Sequence, residues 1–173
     1  MEVMRLRDSM GCIIYTVGSS TRTWEEFIGL LELLGVGVVI DVRRFPKSKF
    51  PHFVKEALDE ALSRAGIAYE HLGEAMGGFR AGGYESHMMS RGFQGGLGRI
   101  EKWVALKTPV IMCAERLPWR CHRRWIARAL MKRGWPVVHV IGPSRVWIDE
   151  VQLEMDLFSR PSGAPEGDYG QGK

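Results

Sequence analysis

Five short apolar runs, separated by stretches whose apolar residues recur at helical spacing, constrain this chain more than any other feature. The runs are CIIYTVG (12–18), VGVVIDV (36–42), IAYEHL (67–72), TPVIMCA (108–114) and PVVHVIG (136–142). A continuous apolar run of this length is the mark of a strand buried on both faces. Between the first two runs, Thr23 and Glu26 form a Thr-x-x-Glu capping box, and Trp24, Phe27, Ile28, Leu31 and Leu34 follow on one helical face. Val54, Ala57, Leu58, Ala61, Leu62 and Ala65 predict a second helix, and Phe93, Leu97, Ile100 and Val104 a third. CHRRWIARALMKRG (121–134), stopped by Gly134, predicts a fourth. Trp147, Val151, Met155 and Phe158 predict a closing helix.

Strands alternating with helices imply right-handed crossovers. The expected fold is therefore α/β: one domain over residues 1–158, with a parallel or mostly parallel sheet of about five strands flanked by helices. Residues 73–89 are rich in glycine and poor in apolar anchors, which predicts a mobile flap. The Pro- and Gly-rich tail, 159–173, is expected to be disordered.

Composition narrows the class. No apolar run approaches the roughly 18 residues that a membrane span needs, and no long apolar stretch follows the charges of MEVMRLRDSMG, so no signal peptide is expected. The expectation is a cytoplasmic protein that does not engage a membrane. A net charge of +4 permits a phosphate-bearing partner without requiring one. The chain has no Asn and three Gln, a depletion of heat-labile amides that predicts heat adaptation. The same usage follows from a biased genome.

In open α/β sheets, ligands sit outside the carboxyl ends of the strands, so the residues that follow each run are the candidates. After the first run, Ser19 and Ser20 could offer backbone N–H groups to an anion, although helix capping alone explains them. After the second, Asp41 and Arg43 fall on the same side of the strand, as substrate ligands or as an ion pair. Ser48 and the basic residues Arg44, Lys47 and Lys49 follow in a loop at the same rim. His71, Glu74, Arg80, Tyr84 and His87 are weaker candidates. The densest group is CAERLPWRCHRR (113–124), which brings Cys113, Glu115, Arg116, Arg120, Cys121, His122, Arg123 and Arg124 to one strand–loop–helix junction. Such a junction cradles anions, and its dipole lowers the pKa of a cysteine. Six residues separate Cys113 from Arg120 and the loop lacks glycine, which departs from the Cys-x5-Arg loop of cysteine phosphatases. Cys113, Cys121 and His122 lack a fourth ligand and a CxxC spacing, so no metal and no cofactor is expected.

The sequence resembles the family called domain of unknown function 488. Four ordered blocks carry the resemblance over roughly residues 13–142: YTVGSSTRTWEEF, VVIDVRRFPKSKFPHF, GIAYEHLGEAMGG, and VIMCAERLPWRCHRRWIARAL followed by GWPVVHVI. The family pattern falls on Gly18, Ser20, Asp41, Arg43, Pro46, Ser48, Gly77, Gly78, Cys113, Glu115, Cys121, His122 and Arg123. The first block in relatives usually reads Gly-His-Ser, whereas this chain has Gly18-Ser19-Ser20. The family name assigns no activity.

These readings converge on a protein, enzyme or binder, that takes a nucleic acid or a phosphate-bearing small molecule. Ser19, Ser20, Arg43, Ser48, Arg116, Cys121, His122 and Arg123 are the expected phosphate or substrate ligands, and Asp41 and Glu115 the expected catalytic carboxylates. Removal of a base from DNA is one specific form, because cleavage of an N-glycosidic bond builds oxocarbenium character that a carboxylate stabilises. Arg124, Arg128 and Lys132, at i, i+4 and i+8, could track a phosphate backbone. The rival readings are rhodanese-like sulfur transfer at Cys113 or Cys121 and a non-catalytic nucleic-acid-binding module.

Overall fold

Thr23 opens the first helix through the capping box that the sequence predicts. Its hydroxyl accepts the Glu26 N–H at 3.2 Å, and the Glu26 carboxylate accepts the Thr23 N–H at 2.9 Å. Helix α1, Trp24–Leu33, then buries Phe27, Leu30 and Leu31. The structure is a computed structural model, and it describes residues 12–149. Helices α2 (Lys55–Arg64), α3 (Gly73–Met76), α4 (Tyr84–Met88), α5 (Arg91–Val104) and α6 (Arg123–Lys132) follow. No helix among the described residues is long and apolar enough to cross a membrane.

The strands are β1 (Ile14–Gly18), β2 (Val38–Asp41), β3 (Ala68–His71), β4 (Pro109–Cys113), β5 (Val137–Gly142) and β6 (Arg145–Trp147). They form a single sheet in the order β3-β2-β4-β1-β5-β6. The first five are mutually parallel, and β6 runs antiparallel to β5. The chain is thus a single-domain α/β protein with a mostly parallel sheet between helices. Its strand order is neither the Rossmann 3-2-1-4-5-6 nor the flavodoxin-like 2-1-3-4-5.

Strand periodicity divides the core in two. Tyr15, Val17, Val39, Met112 and Val138 pack with Phe27, Leu31, Leu58 and Leu62 of α1 and α2. Ile14, Val38, Ile40, Ile111 and Val137 pack on the other face with Met76, Phe93, Leu97, Ile126 and Leu130. The chain therefore leaves β1 and β2 toward one face and leaves β4, which lies between them, toward the other. Divergence of neighbouring connections is what opens a crevice at the carboxyl edge of a sheet. The carboxyl ends are also level: Gly18 pairs with Cys113, Asp41 with Met112 and with His71.

Two expectations are corrected. Residues 73–89 are not a featureless flap. Met76 is buried in the core, Tyr84 donates its hydroxyl to the Met76 carbonyl at 2.6 Å, and Arg80 donates to the carbonyls of Gly73, Glu74 and Gly77. A side chain that staples backbone carbonyls leaves no periodic trace, so the segment reads as irregular. Trp147 does not begin a helix. Pro143 and Ser144 make a tight turn, and Trp147 lies in β6 opposite His139, with ring centroids 5.0 Å apart. Val151, Met155, Phe158 and the tail 159–173 lie outside the described residues.

Candidate functional site

A cleft of about 350 Å³ opens at the carboxyl ends of β2 and β4, where the topology calls for one. One wall comes from the loop after β2, with Arg43, Arg44, Phe45 and Lys47. Gly78 and Phe79, after α3, form a second wall. Cys113 to Glu115 and Arg120 to His122, from the junction between β4 and α6, complete it.

Of the ten residues singled out from sequence, Arg43, Glu115, Cys121 and His122 line the cleft. Asp41 lies beneath it, 0% exposed. Its carboxylate accepts four hydrogen bonds: from Arg43 Nε at 2.9 Å, Arg43 Nη2 at 2.6 Å, the Arg43 backbone N–H at 3.0 Å and the Tyr69 hydroxyl at 2.8 Å. Arg43 spends Nη1 on the Phe53 carbonyl at 2.7 Å. Burial alone would lower the pKa of Arg43, but the hydrogen bonds and charge of Asp41 outweigh it and raise that pKa. Burial, then the Asp41 charge, raises the Tyr69 hydroxyl well above its ordinary range. Asp41 and Arg43 are thus a buried, fully hydrogen-bonded pair, the second of the two alternatives their spacing left open.

Ser19 and Ser20 do not offer N–H groups to a ligand. Those donors go to the carbonyls of Cys113 and Ala114, each at 2.8 Å, and they tie the end of β1 to the loop after β4. Gly18 shows how closely that loop crosses, since a Cβ there would stand 2.1 Å from the Glu115 carbonyl oxygen. Ser48 accepts the Phe50 N–H at 3.0 Å and shapes its own turn. Arg116 is exposed but is not part of the cleft wall.

Arg123 is 0% exposed. Its guanidinium donates to the Thr16 hydroxyl at 3.2 Å, the Arg116 carbonyl at 2.8 Å and the Glu115 carbonyl. It braces the loop that carries Glu115 from behind and is not part of the cleft wall. In the expected basic stripe, Arg128 is engaged by Asp149 at 2.8 Å, and Arg124 lies over the Trp125 ring.

The cations left on the cleft wall are Arg44, Lys47 and Arg120, all exposed. Glu115 is also exposed, with one carboxylate oxygen accepting the Leu117 N–H at 3.1 Å. Two wall residues have no counterpart among the candidates that the sequence suggested by charge and sulfur: Phe45, 64% exposed, and Phe79, 88% exposed. The signal for Phe45 lay in the interleaving of aromatic and basic residues in RRFPKSKF. Phe79 carries no comparable signal.

At the floor, His122 Nε2 lies 3.2 Å from the Val42 carbonyl oxygen. A carbonyl only accepts, so Nε2 carries a hydrogen, and Nδ1 is the bare nitrogen of that tautomer. Nδ1 faces Cys113 Sγ at 3.9 Å and Cys121 Sγ at 3.8 Å. The two thiols share their protons unequally. The hydrogen bond from Cys113, helped by the Arg123 charge, pulls the Cys121 pKa well below the thiol range, whereas the same contact and burial push Cys113 up.

Fold and site together define an α/β protein with a basic, aromatic-rimmed cleft over a Cys–Cys–His cluster at the carboxyl edge of its sheet. A family model, domain of unknown function DUF488, matches residues 23–130, and the chain belongs to this family. The matched span runs from the cap of α1 into α6 and contains every residue that lines the cleft. No curated protein and no solved structure matches the chain significantly.

Proposed function

We propose that the cleft binds an unpaired nucleotide of a nucleic-acid strand. The observation that carries this reading is Phe79. Its ring stands in solvent at the rim of a basic cleft, and its backbone holds a φ of 58°. That conformation is an outlier for a bulky residue and costs about 1–3 kcal/mol. Arg44 holds the Phe79 carbonyl through Nη1, so the loop after β2 fixes the strained turn. A strained, exposed aromatic ring beside cations suits one ligand chemistry above others: a base to stack on the ring and phosphates to meet Arg44, Lys47 and Arg120. Phe45 supplies a second stacking surface. The cleft volume lies at the small-molecule end of pocket sizes, which favours one nucleotide over a duplex.

Within this reading we assign Glu115 the carboxylate role in hydrolysis of an N-glycosidic bond, because Asp41 has no free lone-pair direction toward the cleft. Glu115 would stabilise oxocarbenium character or activate water. The test is titration of a fluorescent single-stranded oligonucleotide and its duplex. Phe79→Ala and Phe45→Ala should each weaken single-strand binding by about 1–3 kcal/mol without lowering Tm, since both rings are exposed. Glu115→Gln should abolish base release and keep or tighten binding, because it removes a negative charge beside the phosphates. Unchanged affinity in both phenylalanine variants contradicts the proposal.

One observation favours a second reading, thiol chemistry of the sulfur-transfer kind. Cys121 lies on the cleft wall with its Sγ 3.8 Å from His122 Nδ1, and its pKa is lowered, the direction a nucleophilic cysteine needs. Loss of turnover on Cys121→Ser, with nucleic-acid binding absent, would select it.

A further inference from the structure

The nucleotide reading makes no use of the three donors on the cleft floor, and their arrangement carries an inference of its own. Cys113 Sγ, Cys121 Sγ and His122 Nδ1 all lie within 4.8 Å of one another. The imidazole nitrogen is almost equidistant from the two sulfurs, at 3.9 and 3.8 Å, so neither thiol has drawn it into a short hydrogen bond. A tetrahedral zinc ion with Zn–S of about 2.3 Å and Zn–N of about 2.0–2.1 Å sets its donors apart by about 3.6 Å for S···N and about 3.8 Å for S···S. The S···N spacing found is wider by only a few tenths of an ångström. We propose that Cys113, Cys121 and His122 bind one zinc ion, with the fourth coordination position open to the cleft.

Further features fit. The Val42 carbonyl fixes the tautomer that leaves Nδ1 free, which is how metal-bound histidines are commonly oriented. Two thiolates neutralise the charge of Zn²⁺, so the buried site carries no net charge and avoids the large penalty of a buried ion. Binding releases the thiol protons to solvent and changes no oxidation state. Gly78 faces the same nitrogen, and a Cβ there would stand 3.2 Å from Nδ1. The fourth ligand that the sequence lacks is also what an open site omits: three protein ligands and one exchangeable position are the pattern of catalytic zinc. All three ligands line the cleft wall, so the exchangeable position faces whatever the cleft holds.

The test uses the full chain, reduced, stripped with a chelator, and with its thiols counted before titration with Co²⁺ and Zn²⁺. One equivalent of Co²⁺ should give the visible bands of a tetrahedral site and a thiolate-to-cobalt charge-transfer band, and Zn²⁺ should displace both. Cys113→Ser and Cys121→Ser should each weaken binding by more than the ~10–100-fold that loss of an outer-shell partner costs. Gly78→Val, which keeps all three ligands, should also weaken it by crowding Nδ1. Azide added to the cobalt form should shift the visible bands if the fourth position is open. Absence of the charge-transfer band with the thiols reduced, an unchanged affinity and band intensity in Cys121→Ser, or no response to azide overturns the proposal. No nucleic acid enters this assay, so its outcome is independent of the nucleotide reading.

Discussion

Replacing Asp41 separates a structural role from a catalytic one. A catalytic carboxylate can be changed to its amide with loss of turnover and little loss of stability. The geometry requires the opposite of Asp41. Its carboxylate is fully buried and accepts two hydrogen bonds from the Arg43 guanidinium, one from the Arg43 backbone and one from Tyr69. In Asp41→Ala the guanidinium keeps only its bond to the Phe53 carbonyl and becomes a buried, uncompensated charge. Breaking one side of such a pair costs about 3–5 kcal/mol, about a fifth or more of a typical domain's stability of about 5–15 kcal/mol. Removing the charge as well reverses part of that loss, so Asp41→Leu with Arg43→Met should be more stable than Asp41→Leu alone. Tyr69→Phe, which deletes one bond to a charged acceptor, should cost about 1.5–3 kcal/mol. Urea unfolding followed by tryptophan fluorescence measures these variants together with the Arg43→Met single. If Asp41→Ala lies within about 1 kcal/mol of the parent, or the double variant equals the sum of its singles, the pair does not hold the floor of the cleft in the way described.

Two other variants probe the same frame. His139, its pKa lowered to about 3 by burial and then by the Arg123 charge, is neutral in the folded protein while the unfolded chain protonates near 6.5. The unfolded state therefore binds more protons below about pH 6.5, and stability falls by up to about 1.4 kcal/mol per pH unit as pH drops from there toward 3; His139→Gln should flatten that slope, as urea midpoints at pH 7, 6 and 5 will show. Gly18→Ala forces a Cβ to within 2.1 Å of the Glu115 carbonyl and 2.7 Å of the Arg116 Cα, with no flexible side chain to yield, so a destabilisation of about 1–3 kcal/mol and a displaced Glu115 are expected by denaturation and by oligonucleotide titration.

Much of this frame is legible in the sequence, because the buried parallel strands are written as unbroken apolar runs. Ile14, Val38, Ile111 and Val137 mark four strands at once, and Thr23 with Glu26 marks the start of α1. The placement of the cleft follows from topology, and the run CAERLPWRCHRR names one of its walls. The direction in which charged side chains point is less legible. Arg123 stands between Arg120 and Arg124 in a basic stretch, yet it shares the face of Ile126, Ala127 and Leu130 at i+3, i+4 and i+7. That spacing was the available sign that it points inward. The fit of Asp41 to Arg43 was visible in their period-two placement, but their burial depends on Tyr69 and Phe53, which come from other elements. The order of residues 73–89 was hidden because Arg80, Tyr84 and His87 hold it by bonds to backbone carbonyls, which no hydrophobic pattern records.

The most direct test of the nucleotide-binding account is the salt dependence of single-strand affinity in the unmodified protein. Arg44, Lys47 and Arg120 are the cations on the cleft wall that no buried carboxylate holds. If each neutralises one phosphate, three contacts at about −0.7 each give a log–log slope of Kobs against salt near −2. Substituting any one of the three with alanine should flatten the slope by roughly 0.7. A slope near −2 that falls stepwise in those variants is the result the account predicts. No binding at low salt, or binding whose slope ignores all three substitutions, contradicts it.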